Sequence, residues 1–203
     1  MKLALNERRV ADALDHEAVS QFDQQATWHF LRQMRAHDAE TYQHSLTVGL
    51  IACDLAHLNG LDAKTALLSG LLHDVGKITI PTSILNKQGA LSDEDWEVIR
   101  NHPRASYSIL KGRFPIIADI ALIHHQFQDN PYPRVRSPMK HTEYGNLIST
   151  ADFYDAIISR NNARGNAAHT IDAVLDRFTK HREHQIAVIH PLVKEELVLY
   201  RAA

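Results

Sequence analysis

In the stretch LLHDVGKITIP, residues 71–81, an apolar run leads directly into His73 and Asp74, with Gly76 and Lys77 just beyond. Four other places in the chain carry the same kind of chemistry. Glu40 and His44 are four residues apart, a spacing that sets a carboxylate and an imidazole on one helix face. His102 directly precedes Pro103, which biases it away from helical geometry and toward a helix junction. His124 and His125 are adjacent, just before a polar, Pro-rich stretch. Asp152 and Asp155 are three apart in the otherwise apolar LISTADFYDAII, so they share a face. A carboxylate in such surroundings is costly unless it is paired or bound to a cation.

Seven nitrogen and oxygen donors can therefore converge: His44, His73, Asp74, His102, His124, His125 and Asp152, with Glu40 as an eighth. A mixed imidazole and carboxylate set suits Fe(II), Mn(II), Zn(II) or Ni(II) better than Ca(II) or Cu(I). One ion takes about four to six ligands, so this set points to two ions, or three, with an Asp bridging. Two-metal sites activate a water for in-line displacement at phosphorus. Lys77, beside that water, can neutralise a phosphate oxygen. Spacing by itself leads as far as metal-assisted hydrolysis.

Helices must position these donors. Apolar periodicity predicts helices over 5–19 and 21–37, the latter anchored by Phe22, Trp28, Phe30, Leu31 and Met34. A third runs over 41–58 and stops at Gly60; a buried fourth covers 63–75, with Gly76 as its C′ glycine. Ser92 caps 93–101, Pro103 opens a helix ending near Gly112, and Pro115 opens one running to about 126. Residues 128–141 form the long loop, and helices follow over 143–159, about 170–182 and 191–200. Strand signals are weak: the best candidate is ITI at 78–80, too short to build a sheet, so the fold class is all-α.

Bulk properties narrow the function. The 203 residues fit one ordinary domain, and 44% hydrophobic with 23% charged residues is a globular balance. A net charge of −2 offers no field for a nucleic acid polymer or a membrane surface. No apolar run approaches a membrane span, and the N-terminus is broken by charges too early for a signal peptide, so a cytoplasmic location is expected. The single cysteine, Cys53, excludes an internal disulfide and a cysteine-based zinc site. Of the 14 histidines, His37, His57, His141, His169, His181, His184 and His190 are read as core or surface residues.

HDVGKITIPTSILNKQGALSDEDWEVIRNHPRASYSIL, starting at His73, resembles the HD-GYP pattern HDIGK-I-IP--IL-K-G-L--EE------HP--G--IL. Upstream, DAETYQHSLTVG (38–49) is similar to D-YT-GHS-RV; downstream, ISTADFYDAIISR (148–160) is similar to I-VAD-YDALTS-R, and HPLVKEEL (190–197) resembles the closing P-LV helix. The resemblance spans about 30–200, in order. It implies an HD-domain helical bundle with two N-terminal helices: 1–37 as a helical segment packed on the main domain, and 38–203 as the HD-GYP-like phosphodiesterase domain. It also implies hydrolysis of cyclic dinucleotides, cyclic di-GMP foremost, to linear pGpG, GMP or both.

The seven donors match the family's metal ligands, with Asp74 the expected bridge and Glu40 matching the position of a third-metal ligand. Two divalent ions are expected, or three, with Fe or Mn favoured and Zn or Ni compatible. A metal-bridging hydroxide would attack phosphorus, while the metals and Lys77 offset the developing charge. Lys77, Asp155, Tyr132 and Arg164 match substrate-side positions. The partners implied are the cyclic dinucleotide, a diguanylate cyclase or other signalling protein, and a second copy of the chain. The loop departs from the family's HHE-R-x-D-G-x-G-Y-P: it reads HHQFQDNPYP, with Gln126 for Glu, Phe127 for Arg, and Asn130 and Pro131 where glycines stand. Pro forbids backbone shapes that Gly permits, so this loop follows another path. Arg160 falls one residue early for the family's basic position, which Asn161 occupies. The alternatives are an HD-type phosphohydrolase acting on another nucleotide or phosphodiester, and a non-catalytic docking module.

Overall fold

A computed structural model describes residues 2–136, 138–163 and 171–189. Helix α1 spans Lys2–His16 and α2 Gln21–His37, the latter capped by the Ser20 side chain accepting from the Asp23 N–H. The central helix α3, Ala39–Asn59, starts where the Asp38 carboxylate accepts from the Thr41 N–H, and ends at Gly60 with φ 68°. A left-handed residue closes a helix with least strain when it has no Cβ, which accounts for that glycine. Then follow α4 (Ala63–Leu72), a 3₁₀ turn (Val75–Thr79), α5 (Thr82–Leu85), α6 (Asp93–Ile99), α7 (His102–Leu110) and α8 (Pro115–Ile123). A loop leads to α9 (Thr142–Ala163) and α10 (Ile171–His181). No strand occurs among the described residues, so the chain is all-α there.

The core is built around α3 and α4. Leu46, Ile51 and Leu55 of α3 and Leu67, Leu71 and Leu72 of α4 are almost wholly buried. The two backbones come together at a glycine pair: a Cβ on Gly70 would lie 2.7 Å from the Gly49 Cα and 2.8 Å from the Val48 carbonyl oxygen. α1 and α2 cover one side through Val10, Leu14, Leu31 and Met34, while α8 and α9 contribute Ile120, Leu147 and Ile148. Each such buried aliphatic side chain stabilises the fold by about 1.5–3 kcal/mol relative to exposure. Phe22, expected as an anchor of α2, is instead 66% exposed, its ring covered by the Arg113 guanidinium.

Three expectations about local geometry are corrected. The ITI segment is not a strand: Ile78 and Thr79 belong to the 3₁₀ turn, and Ile80 alone is extended. The helix expected over 63–75 ends at Leu72, and Gly76 does not close it with a left-handed residue, since only Gly60 and Gly89 among the described glycines have positive φ. α8 ends at Ile123, so both following histidines lie in a turn. The helix expected over 191–200 lies outside the described residues.

Candidate metal centre

The chain leaves α4 through His73 (φ −54°, ψ −37°) and departs from helical geometry at Asp74 (φ −100°, ψ 8°). That departure aims both adjacent side chains into one interior site. Gly76 is required by what packs on the turn: a Cβ there would lie 2.2 Å from the His102 carbonyl oxygen and 2.5 Å from the Ser106 nitrogen. The buried Ser106 hydroxyl donates to the His73 carbonyl and accepts from the Gly76 N–H, both at 2.8 Å. α7 is thus fastened directly to the His-Asp turn. It begins at His102 itself, since Pro103 in the first turn has no N–H to satisfy.

Three histidines are oriented by one device. The Nδ1 atoms of His73, His102 and His124 each lie 2.7–2.8 Å from the carbonyl oxygen three residues earlier, of Gly70, Ile99 and Ala121. Nδ1 therefore carries the proton and donates it, leaving each Nε2 as a free donor atom. These nitrogens surround Asp74. Its Oδ2 is 3.3 Å from His73 Nε2 and 3.7 Å from His44 Nε2; its Oδ1 is 3.1 Å from His102 Nε2 and 4.0 Å from His124 Nε2. The two oxygens face two separate donor groups, one of His44, His73 and Asp152, the other of His102, His124 and His125.

His44 is held by two carboxylates: Nε2 is 3.2 Å from Asp152 Oδ1, and Nδ1 is 2.7 Å from Asp155 Oδ2. Burial alone would lower its pKa, but these bonds outweigh burial and raise it to about 10. Asp152 is lowered in turn, its burial being outweighed by His44. Burial drives His124 well below the ordinary imidazole range, helped by the neighbouring His125, and takes His125 down to about 3. Lys77 Nζ lies 2.6 Å from Asp74 Oδ2. Burial disfavours both charges, and the contact with Asp74 keeps Lys77 charged while the surrounding His73, Lys77 and His102 hold Asp74 well below the usual carboxylate range.

The donor set fits a divalent metal site. His73 Nε2 and Asp74 Oδ1 are buried without a hydrogen bond of proper geometry, and the Lys77 ammonium is beside Asp74 Oδ2 alone. Such atoms are costly unless a cation satisfies them.

The remaining predicted residues fall around this centre. Asp155 is buried behind His44, with its carboxylate on Nδ1. Glu40 is exposed one turn before His44, on the lining of a groove shared with Lys77, Asp152 and Asp155, and outside the donor groups. The Tyr132 ring lies against His125, centroids 4.4 Å apart. Arg164 lies outside the described residues.

Two residues of the site escape a sequence reading. Ser106 stands where the HD-GYP pattern carries Gly, and that departure was its only trace. Arg182 left none: its guanidinium donates to the Phe127 carbonyl at 2.7 Å, to Ser149 Oγ and to Gln128 Oε1, each at 3.1 Å, and stacks over Phe153. It fixes the start of the altered loop, whose end is held by Gln126 donating to the Pro133 carbonyl at 2.7 Å.

Comparison with known proteins agrees with this geometry. Residues 41–157 match the HD domain family, more than half of the 203-residue chain. The chain is 34% identical over 131 residues to a cyclic di-GMP phosphodiesterase of Thermotoga maritima, covering 61% of this chain and 36% of that protein. It is 31% identical over 180 residues to one of Pseudomonas aeruginosa, covering 84% and 44%. It is 35% identical over 132 residues to a 3′3′-cGAMP-specific phosphodiesterase of Vibrio cholerae, covering 61% and 25%. The chain thus spans less than half the length of these relatives. The HD domain of L. monocytogenes phosphodiesterase PgpH, solved in complex with cyclic-di-AMP, shares the fold at a TM-score of 0.55 and 20% identity, over 83% of this chain and 84% of that one. Its HD pair, the donors gathered round it and the extent of the match together establish that the chain belongs to the HD domain family.

Proposed function

We propose that the protein is a metal-dependent phosphodiesterase that hydrolyses cyclic dinucleotides, cyclic di-GMP foremost, to linear pGpG, GMP or both. The observation that carries this reading is Asp74, a buried carboxylate with one oxygen toward each of two donor groups and an ammonium beside it. The relatives named for such activity lend the substrate class.

Asp74 would bridge two divalent ions, one held by His44, His73 and Asp152, the other by His102, His124 and His125. Fe(II) or Mn(II) suits these donors best, and Zn(II) or Ni(II) shares them. When bound, the ions supply an activated water and neutralise charge at phosphorus. Lys77, a quarter exposed and lining the groove, reaches a phosphate oxygen and offsets charge that develops during displacement. Asp155 holds the His44 ring in place. Tyr132, stacked on His125, forms the wall on the loop side, and Arg164 and Glu40 are assigned to substrate and to a third ion respectively.

Anaerobically metal-loaded protein should convert cyclic di-GMP to its linear form. The loop favours one other reading: with Gln126 and Phe127 in place of the family's Glu and Arg, the wall can suit another nucleotide or phosphodiester. Faster turnover of a mononucleotide or simple phosphodiester than of any cyclic dinucleotide would establish that reading instead.

A further inference from the structure

A second group of metal-ligating side chains lies at the other end of α3. Cys53 and His57 are four residues apart and share a face of that helix. Glu17, just past the end of α1, reaches across to both. Its Oε1 lies 2.9 Å from His57 Nε2 and 3.9 Å from Cys53 Sγ, and all three donor atoms lie within 4.8 Å of one another. His16 brings a fourth, its Nε2 3.9 Å from the same oxygen on a side chain that is 81% exposed and free to turn. A tetrahedral ion bound at about 2.0–2.3 Å separates its donors by roughly 3.3–3.7 Å. These distances bracket that range. Cys53 follows His44 by nine residues, roughly 14 Å along the helix, so this group is separate from the HD centre.

An ion pair joins His57 and Glu17, and the thiol lies beside it. Cys53 is 94% buried in the hydrophobic core, and its sulfur is 3.9 Å from the Glu17 carboxylate, so it stands between the core and the ion pair. Burial, Glu17 and Asp54 push the thiol up to about 12, so without a cation it keeps its proton. A divalent ion inverts that local electrostatic sense and releases the proton to solvent. Counting cysteines excluded a cysteine-based zinc site; the fold supplies that one cysteine with imidazole and carboxylate partners.

We propose that Cys53, His57 and Glu17, with His16 as the fourth donor, form a structural site for a borderline divalent ion such as Zn(II), fastening the end of α1 to α3. The proposal is independent of the catalytic reading, because none of these residues belongs to the HD centre.

Cobalt substitution tests it cleanly, since Cys53 is the only cysteine of the chain. The 203-residue chain, loaded anaerobically with Co(II), should show thiolate-to-cobalt charge-transfer absorption in the near ultraviolet, which the all-nitrogen-and-oxygen HD centre cannot produce. Cys53→Ser should lose that band and one equivalent of bound metal while retaining the activity of the parent. His57→Ala, at an exposed position, should weaken metal binding there by more than the roughly 10–100-fold that even an outer partner of a ligand costs. In Asp74→Asn, which disables the HD centre, the band should persist. No thiolate band at full loading, or equal metal content in Cys53→Ser and the parent, would overturn the proposal. So would a band of unchanged affinity in His57→Ala.

Discussion

Asp74 is buried among imidazoles, and its two oxygens are shared between opposite donor groups. Asp74→Asn keeps the volume and removes the shared charge. Elemental analysis should find at least one metal equivalent fewer, with kcat lower by about three orders of magnitude. Lys77→Met separates charge from coordination: kcat should fall about 10²–10³-fold with metal content unchanged. A matching loss of metal would show Lys77 to be a structural partner of Asp74 only. Asp155→Asn should cost about 10–100-fold in metal affinity or activity through the loosened His44 ring. The types and order of these donors were legible in the sequence, because imidazoles and carboxylates at helix spacing have few other uses inside an apolar core. Their orientation was not. Each of three histidines is aimed by a hydrogen bond to a backbone carbonyl, and every residue offers one of those.

At the scale of elements, the site depends on how tightly α7 seats on the His-Asp turn. Gly76→Ala would drive a Cβ into backbone atoms that cannot rotate away, so the turn or α7 must shift. The expected loss is about 3 kcal/mol or more, read by denaturant unfolding, together with loss of metal. Ser106→Ala should cost about 1–3 kcal/mol, because it leaves the buried Gly76 N–H and His73 carbonyl without their common partner. The helices themselves were legible from apolar period and from two caps, Ser92 and Gly60, which act where such residues act. The turn after Asp74 was misread because Ile-Thr-Ile carries strand propensity, whereas packing of α7 and α2 against it holds a 3₁₀ conformation. Gly76 was read as a conformational glycine, and its real constraint is a neighbour 30 residues away in sequence.

Across the whole molecule, the clustered titratable groups tie stability to pH. Folded His44 keeps its proton to about 10, while the unfolded chain releases it near 6.5; its contribution is complete below 6.5 and is lost as pH rises toward 10. His125 runs the other way: with a folded value of about 3, its contribution is complete above 6.5 and is lost as pH falls toward 3, and the lowered His124 acts in the same sense. Chelator-treated protein should therefore be most stable near the ordinary imidazole value, with each titrating group adding up to about 1.4 kcal/mol per pH unit on its limb. Divalent metal should remove the alkaline limb, since it displaces the His44 proton. Urea unfolding from pH 4 to pH 9, with and without metal, checks this; a monotonic profile in chelator would contradict it. No helix among the described residues is long and apolar enough to cross a membrane. The most direct test of the catalytic reading is turnover of cyclic di-GMP by anaerobically metal-loaded protein, with metal content measured on the same sample. We predict linear product from the parent and almost none from Asp74→Asn; full occupancy of both metal positions with no turnover of any cyclic dinucleotide would contradict it.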